Sequence, residues 1–285
     1  MNRRRIGVDF HADFVRVATT HSEFGRTVVE KLEQLAPPIP EEWARDTGGR
    51  FALSVPDSQT MVKALRIDPS GSIPLADRLR FELAQSVLES ESLFHMDTIG
   101  TVLPDRHLGM IFRREHVKEL THKVGLAPIL ESEGVSVQSR AIALGRGYLT
   151  FCMCQDGGLV VLADVSAKAA SICLLYDRQI ADVTSLPMLD YNMADDSGRA
   201  RFGADLKTIL NYRQSLLREA GISVPPSAIF VAGEMSEETV LKTLQPHFAV
   251  DVSAPRLIEG YFAGLGQADH SVLSAYLVAL GLTVN

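Results

Sequence analysis

The chain has 285 residues, of which 46% are hydrophobic and 22% charged, with a formal charge of −7. That length suits two domains with a sizeable core, and the acidic balance excludes a non-specific nucleic-acid binder, which needs a basic face. No apolar run approaches the roughly 18–20 residues of a membrane span, and Asp9, His11 and Asp13 interrupt any signal core after the basic start, so the expected location is the cytoplasm.

In chain order, Arg4-Arg5-Ile6-Gly7-Val8-Asp9 predicts a short strand ending on an acid. The turn His11-Ala12 reverses it into Phe14-Val15-Arg16-Val17-Ala18, and residues 26–32 supply a third strand. Ala36-Pro37-Pro38-Ile39-Pro40 is too proline-rich for a strand or a helix interior. A short helix over 41–46 stops at Gly48-Gly49, and residues 51–55 and 61–67 read as strands. Pro74 suits the first turn of a helix, and Leu75, Leu79, Leu83 and Val87 then recur every four residues along one stripe. Residues 98–103 and 108–112 form a strand pair through Pro104-Asp105, and residues 114–124 a helix capped by Gly125. This helix–strand–strand–helix block, about 74–133, reads as a small α+β subdomain inserted into the first domain. Residues 139–148 form a further short helix. Cys152 and Cys154 alternate as along a strand, and without a second pair they read as reduced core thiols rather than metal ligands.

Leu159-Val160-Val161-Leu162-Ala163-Asp164 then repeats the opening device, with Ser166-Ala167-Lys168 as its turn, residues 170–175 returning and residues 179–183 as the third strand. Backbone N–H groups in such a turn can cradle phosphate, and the Asp can hold a water or a magnesium ion. Alone, each copy is an ordinary hairpin. Two matching meanders predict a duplicated α/β fold, with domains over 1–150 and 151–285 and a cleft between them. An acidic loop over 190–196 leads into a long helix, 199–220, ended by Gly221. A buried strand over 228–233 precedes a helix N-capped by Ser236 and stopped by Pro246. A short strand over 249–252 and a final apolar helix over 271–281, expected to pack back on the first domain, complete the chain. His116 and His122 lie six apart, which does not stack them at ligand spacing, so they read as surface histidines. No G-x-x-x-x-G-K-[ST], H-E-x-x-H or G-x-S-x-G occurs.

This order of elements resembles the actin-like ATPase superfamily, a duplicated ribonuclease H-like fold, over nearly the whole chain. Within it the chain resembles the PilM family of type IV pilus assembly, and FtsA and the GspL cytoplasmic domain are similar relatives. The resemblance implies a nucleotide site. Asp9, His11, Ala12 and Asp13 fall at the first phosphate motif; Asp164, Ser166, Ala167 and Lys168 fall at the second. Asp205 lies on the helix lining the pocket, and Gly233 and Glu234 lie at the adenosine motif. Asp9 and Asp164 would hold magnesium if Mg-nucleotide binds. The residues depart from the family pattern, however. His11 adds bulk where glycine would let the backbone approach phosphate, and Asp13 repels an anion. The second motif lacks its glycine, and Glu234 replaces the second glycine of a pair. Lys168 offers one cation in partial compensation. Together these predict no cofactor, or weak Mg-ATP, and no catalytic residue.

The resemblance also implies a partner. PilM-like proteins dock the cytoplasmic tail of an inner-membrane protein between the first domain and the inserted subdomain, which makes Phe81, Leu83, Val87, Leu93 and Phe94 the expected groove walls. For each of these singly, plain core packing is the alternative. The expected function is a cytoplasmic scaffold of a type IV pilus or type II secretion-like assembly, held at the inner face of the membrane through its partner. An active Mg-ATP switch is the alternative, and a sugar or acetate kinase of the same superfamily is disfavoured.

Overall fold

Three strands open the chain, β1 (Arg5–Phe10), β2 (Val15–Glu23) and β3 (Arg26–Leu35), in a computed structural model that describes residues 4–284 apart from 69, 71, 132–134, 156, 235, 263–264 and 266–269. They form an antiparallel meander. After α1 (Glu41–Thr47), β4 (Arg50–Val55) lies parallel to β1. Next come β5 (Thr60–Arg66), α2 (Leu75–Ala84), β6 (Phe94–Gly100), β7 (Arg106–Arg113), α3 (Arg114–Val124), β8 (Ser136–Ser139) and α4 (Arg140–Phe151). β8 pairs with β4 and completes a five-stranded sheet of order β3-β2-β1-β4-β8.

The second half repeats this plan. Its elements are β9 (Leu159–Val165), β10 (Ala169–Tyr176), β11 (Gln179–Pro187), α5 (Asp196–Glu219), β12 (Pro226–Gly233), α6 (Glu238–Leu244), β13 (Val252–Ser253), α7 (His270–Ser274) and α8 (Leu277–Leu282). The second sheet runs β11-β10-β9-β12-β13, the same order rank for rank. β9 is buried along its whole length and β1 at every residue after Arg5, because a central strand covered on both faces needs an unbroken apolar run.

What covers the facing sides is a pair of helices. α8 packs on β1, β2 and β4, α4 packs on β10 and β11, and the two helices pack on each other. Glycines set these close approaches. Between α8 and α4, a Cβ on Gly281 would lie 1.7 Å from the Ala143 carbonyl oxygen, and between β1 and α8, one on Gly7 would lie 1.9 Å from that of Ala279.

β5, β7 and β6 form a separate three-stranded antiparallel sheet. One face carries its own small core of Leu65, Ile67, Leu79, Leu83, Phe94 and Ile111. From the other, Leu108, Met110 and Phe112 join the large first core with Val117 and Val124 of α3. Alternation along β7 produces this division. The small sheet therefore begins with β5, upstream of the expected start at 74, because Leu65 and Ile67 are needed to complete its core; residues 132–133, at the expected end, lie outside the described residues.

Several expected elements differ. β6 begins at Phe94 and ends at Gly100, rather than spanning 98–103. The apolar pair Val102-Leu103 instead reaches the second half: Val102 N donates to Ile180 O of β11 at 3.1 Å, and both side chains pack on the second core. Cys152 and Cys154 are not in a strand, since α4 runs on to Phe151; Cys152 makes only a single bridge to Leu257. Ser236 does not cap α6. Glu237 occupies that position without a side-chain bond, and Ser236 Oγ donates to Gly233 O. The final helix is two, α7 and α8, separated at 275–276. Among the described residues no helix is long and apolar enough to cross a membrane.

Candidate functional site

Both Asp-bearing turns open onto one cavity of about 340 Å³ between the halves. His11, Ala12 and Asp13 line it from the β1–β2 turn, and Ser166, Ala167 and Lys168 from the β9–β10 turn. Asp57 and Ser58 reach it from the segment after β4, His116, Glu119 and Lys123 from α3, and Glu234 from the end of β12. The turns close on themselves. His11 N donates to Phe14 O at 3.0 Å and Ser166 N to Ala169 O at 3.1 Å, so those two N–H groups are spent on the turns and not offered to a ligand.

The floor of the cavity is an ion cluster centred on Arg140, the first residue of α4. Its guanidinium lies between the two strand-end acids. Nε is 3.0 Å from Asp9 Oδ1, and one terminal nitrogen lies 3.1 Å from Asp9 Oδ2 and 2.7 Å from Asp164 Oδ2. All three side chains are buried: Arg140 is 4% exposed, Asp9 1% and Asp164 2%. Ser54 Oγ donates to Asp9 Oδ1 at 2.8 Å, and His11 Nε2 sits 2.8 Å from Asp9 Oδ2. Asp9 thus accepts hydrogen bonds from Ser54, His11 and a terminal nitrogen of Arg140, with Arg140 Nε alongside as an ion-pair contact.

Burial alone would neutralise the Asp9 carboxylate, but Arg140, His11 and Ser54 hold its pKa well below the usual carboxylate range. Burial likewise disfavours the guanidinium, yet Asp9, Asp164 and Asp57 keep it charged. Burial pushes Asp164 upward against the opposing pull of Arg140, and pushes Asp57 upward against hydrogen bonds from Ser171 and Ser139. His11 extends the cluster across the cleft. Its Nδ1 is 3.0 Å from Glu234 Oε1, its ring stacks on Phe14 at 4.4 Å, and its side chain is 2% exposed. With a carboxylate at each ring nitrogen, the ring is held as a double donor; burial opposes the charge, and Asp9 and then Glu234 raise its pKa.

The two turns and Glu234 therefore come together at the cavity. Gly233 lies behind it. With φ of +87°, it packs so closely that an added Cβ would be 2.4 Å from Asp164 Oδ1. Asp205 does not join the cluster; on α5, it accepts a hydrogen bond from Tyr191 Oη at 2.6 Å. His116 is not a plain surface residue but half-buried on the cavity wall. Arg140 is the residue that sequence reasoning missed. The signal was present: a cation at the start of a largely apolar helix opposes the helix dipole, and no acid occupies that first turn to offset it.

The expected groove residues divide between two places. Leu83 and Phe94 belong to the small sheet's own core, at 1% and 8% exposure, so Leu83 is not a groove wall open to a partner. Phe81 is exposed and lines a cavity with Ile67 and Ile73, and Leu93 is exposed. Val87, half-buried, lines a different cavity of about 440 Å³ with Met61, Leu88, Ile111 and Arg113, where one edge of Phe94 also shows. Alternation and helical spacing could not separate these two sides of α2.

No protein-family model matches the chain, and no curated protein does. Solved structures do. A PilM–PilN type IV pilus biogenesis complex aligns over 100% of this chain and 98% of its own, with a TM-score of 0.64 at 12% identity. A Bacteroides thetaiotaomicron protein with an actin-like ATPase fold aligns over 88% and 91%, with a TM-score of 0.50 at 8% identity. The protein has the actin-like ATPase fold. The cytoplasmic domain of EpsL, an inner-membrane component of the Vibrio cholerae type II secretion system, covers 86% of this chain and 94% of its own, with a TM-score of 0.47 at 11% identity. In this actin-like chain the acids at the ends of β1 and β9 do not fit a magnesium ion as they stand, because the Arg140 guanidinium already lies between them.

Proposed function

We propose that this chain is a PilM-like scaffold of a type IV pilus or type II secretion-like assembly, acting at the inner face of a membrane by holding the cytoplasmic tail of a membrane-protein partner, with no use for nucleotide in its cleft. The observation that carries the nucleotide-free part is the Arg140 bridge between Asp9 and Asp164. A triphosphate would also meet Asp13 and Glu234 at the cavity. Calorimetric titration with Mg-ATP tests it. Negligible heat is expected; a dissociation constant in the low micromolar range, about −8 kcal/mol, would favour the ATP-switch alternative.

The docking part is supported by the full-length likeness to a PilM–PilN complex and by the cavity beside Val87. β5 is an edge strand of the small sheet, and its Thr60 and Met61 line that cavity. An extended tail can add to such an edge and place alternate side chains in apolar pockets. Leu88, fully exposed at the rim, is the residue to change. Leu88→Asp should weaken tail capture by about tenfold or more with stability unchanged, whereas a charge at buried Phe94 should damage the small core. Undiminished co-purification of the partner with folded Leu88→Asp would move the docking site elsewhere.

A further inference from the structure

The two halves of the molecule meet at a cleft whose deepest contacts are made by side chains of the chain itself. Asp9 lies next to the end of β1 in the first sheet and Asp164 lies on β9 in the second, and among the described residues Arg140 bridges the two. A second link runs from Asp9 through His11 to Glu234, which follows β12 of the second sheet. Each link is a cation held between carboxylates of opposite halves. Apart from Glu234, whose side chain is 24% exposed, the participating groups are almost entirely withdrawn from water, where charge–charge attraction is least screened.

We propose that Arg140, with His11 beside it, is a built-in clasp: a resident cation that holds the two halves closed without any ligand, in the place where an acid pair of opposite halves would otherwise need a metal ion. The inference rests on the nucleotide-free reading above, and concerns what the cluster does for the molecule instead. Closure in a two-domain protein with a ligand cleft normally depends on differential binding of the ligand to the closed form. Here the bridging charge is covalently part of α4, the helix that packs both on the second sheet and on α8, so its effective concentration at the acid pair is constant. A planar guanidinium offers several donors in a fixed fork, which suits one cation to two carboxylates. The cleft is therefore set in one position, as a rigid platform for the rest of the fold and not as a hinge.

The test is a distance measured across the cleft. Spin labels at Lys123→Cys on α3 and Lys168→Cys in the β9–β10 turn, both exposed on opposite walls, in a Cys154→Ser background, report it by pulsed electron resonance. The unliganded protein is expected to show a single narrow distance, unmoved by Mg-ATP. Arg140→Ala should lose that narrow distance in favour of a broad, longer distribution. Because it strands two buried acids and can fail to fold, a charge-balanced variant (Asp9→Asn, Arg140→Met, Asp164→Asn) is measured in parallel and should lose the narrow distance in the same way. A broad distribution in the unliganded native protein overturns the clasp, as does a narrow native distance retained in either folded variant. A native distance already narrow, combined with tight Mg-ATP binding by calorimetry, overturns the nucleotide-free reading and leaves the clasp standing.

Discussion

Arg140→Ala is expected to destabilise the protein by about 3–5 kcal/mol, the loss found when one partner of a buried ion cluster is removed. The size follows from what is left behind. Asp9 and Asp164 remain at 1% and 2% exposure, with Asp57 adding to the same negative field, and among the described residues no other side chain bridges the two. Arg140→Lys should recover only part of the loss, because one ammonium cannot match both carboxylates in the guanidinium's planar fork. The charge-balanced variant should lie closer to the native protein than Arg140→Ala does, since replacing a whole buried ion cluster by neutral groups is often nearly neutral. Urea unfolding measures all three through the midpoint at constant slope. A loss below about 1 kcal/mol for Arg140→Ala is what an exposed pair would give, and would mean that water reaches the cluster.

Gly281→Ala should cost about 3 kcal/mol or more, at the upper end of what overpacking produces. The sign is the informative part. In an ordinary helix interior, glycine to alanine stabilises by about 1 kcal/mol. Here α8 crosses α4 with backbone against backbone: the new Cβ would sit 1.7 Å from the carbonyl oxygen of Ala143 and 2.7 Å from the amide nitrogen of Gly147. Neither is the end of a flexible side chain, so the helices must separate. Gly147 faces the same crossing from α4, its own Cβ position lying 2.2 Å from the Leu277 carbonyl oxygen. Thermal unfolding, with limited proteolysis of the C-terminal segment, reads the effect. An unchanged or raised melting temperature would show that α8 does not need this close crossing.

Much of the architecture was legible because it is local. The two meanders could be read from apolar runs that end on Asp at a short turn, and α3 could be placed at 114–124 from its periodic apolar face and from Gly125, which adopts φ of +83° at its end. The misses share a cause. β8 has four residues, too few for any periodicity. Val102-Leu103 looks like strand continuation, but its hydrophobicity serves a contact with a core some sixty or more residues distant in sequence, at β11 and α5. Phe94 and Phe81 are equivalent by composition, yet one faces the interior of the small sheet and the other solvent.

The candidate site divides in the same way. By itself the sequence determined that the chain carries two copies of one strand–acid–turn device, that glycines are missing from the turns, and that acids occupy positions facing a would-be anion, because residue identity at a turn acts through local sterics and charge. Only the tertiary structure decided what those acids do. Asp9 and Arg140 are 131 residues apart and Asp9 and Asp164 belong to different sheets, so whether the pair awaits a metal or already holds a guanidinium depends on where α4 begins relative to both strands. That placement comes from the packing of α4 against β10 and α8, where Gly145 lies over Cys173 and Gly147 against α8, so the sequence shows a cation at the start of α4 but not which acids it meets.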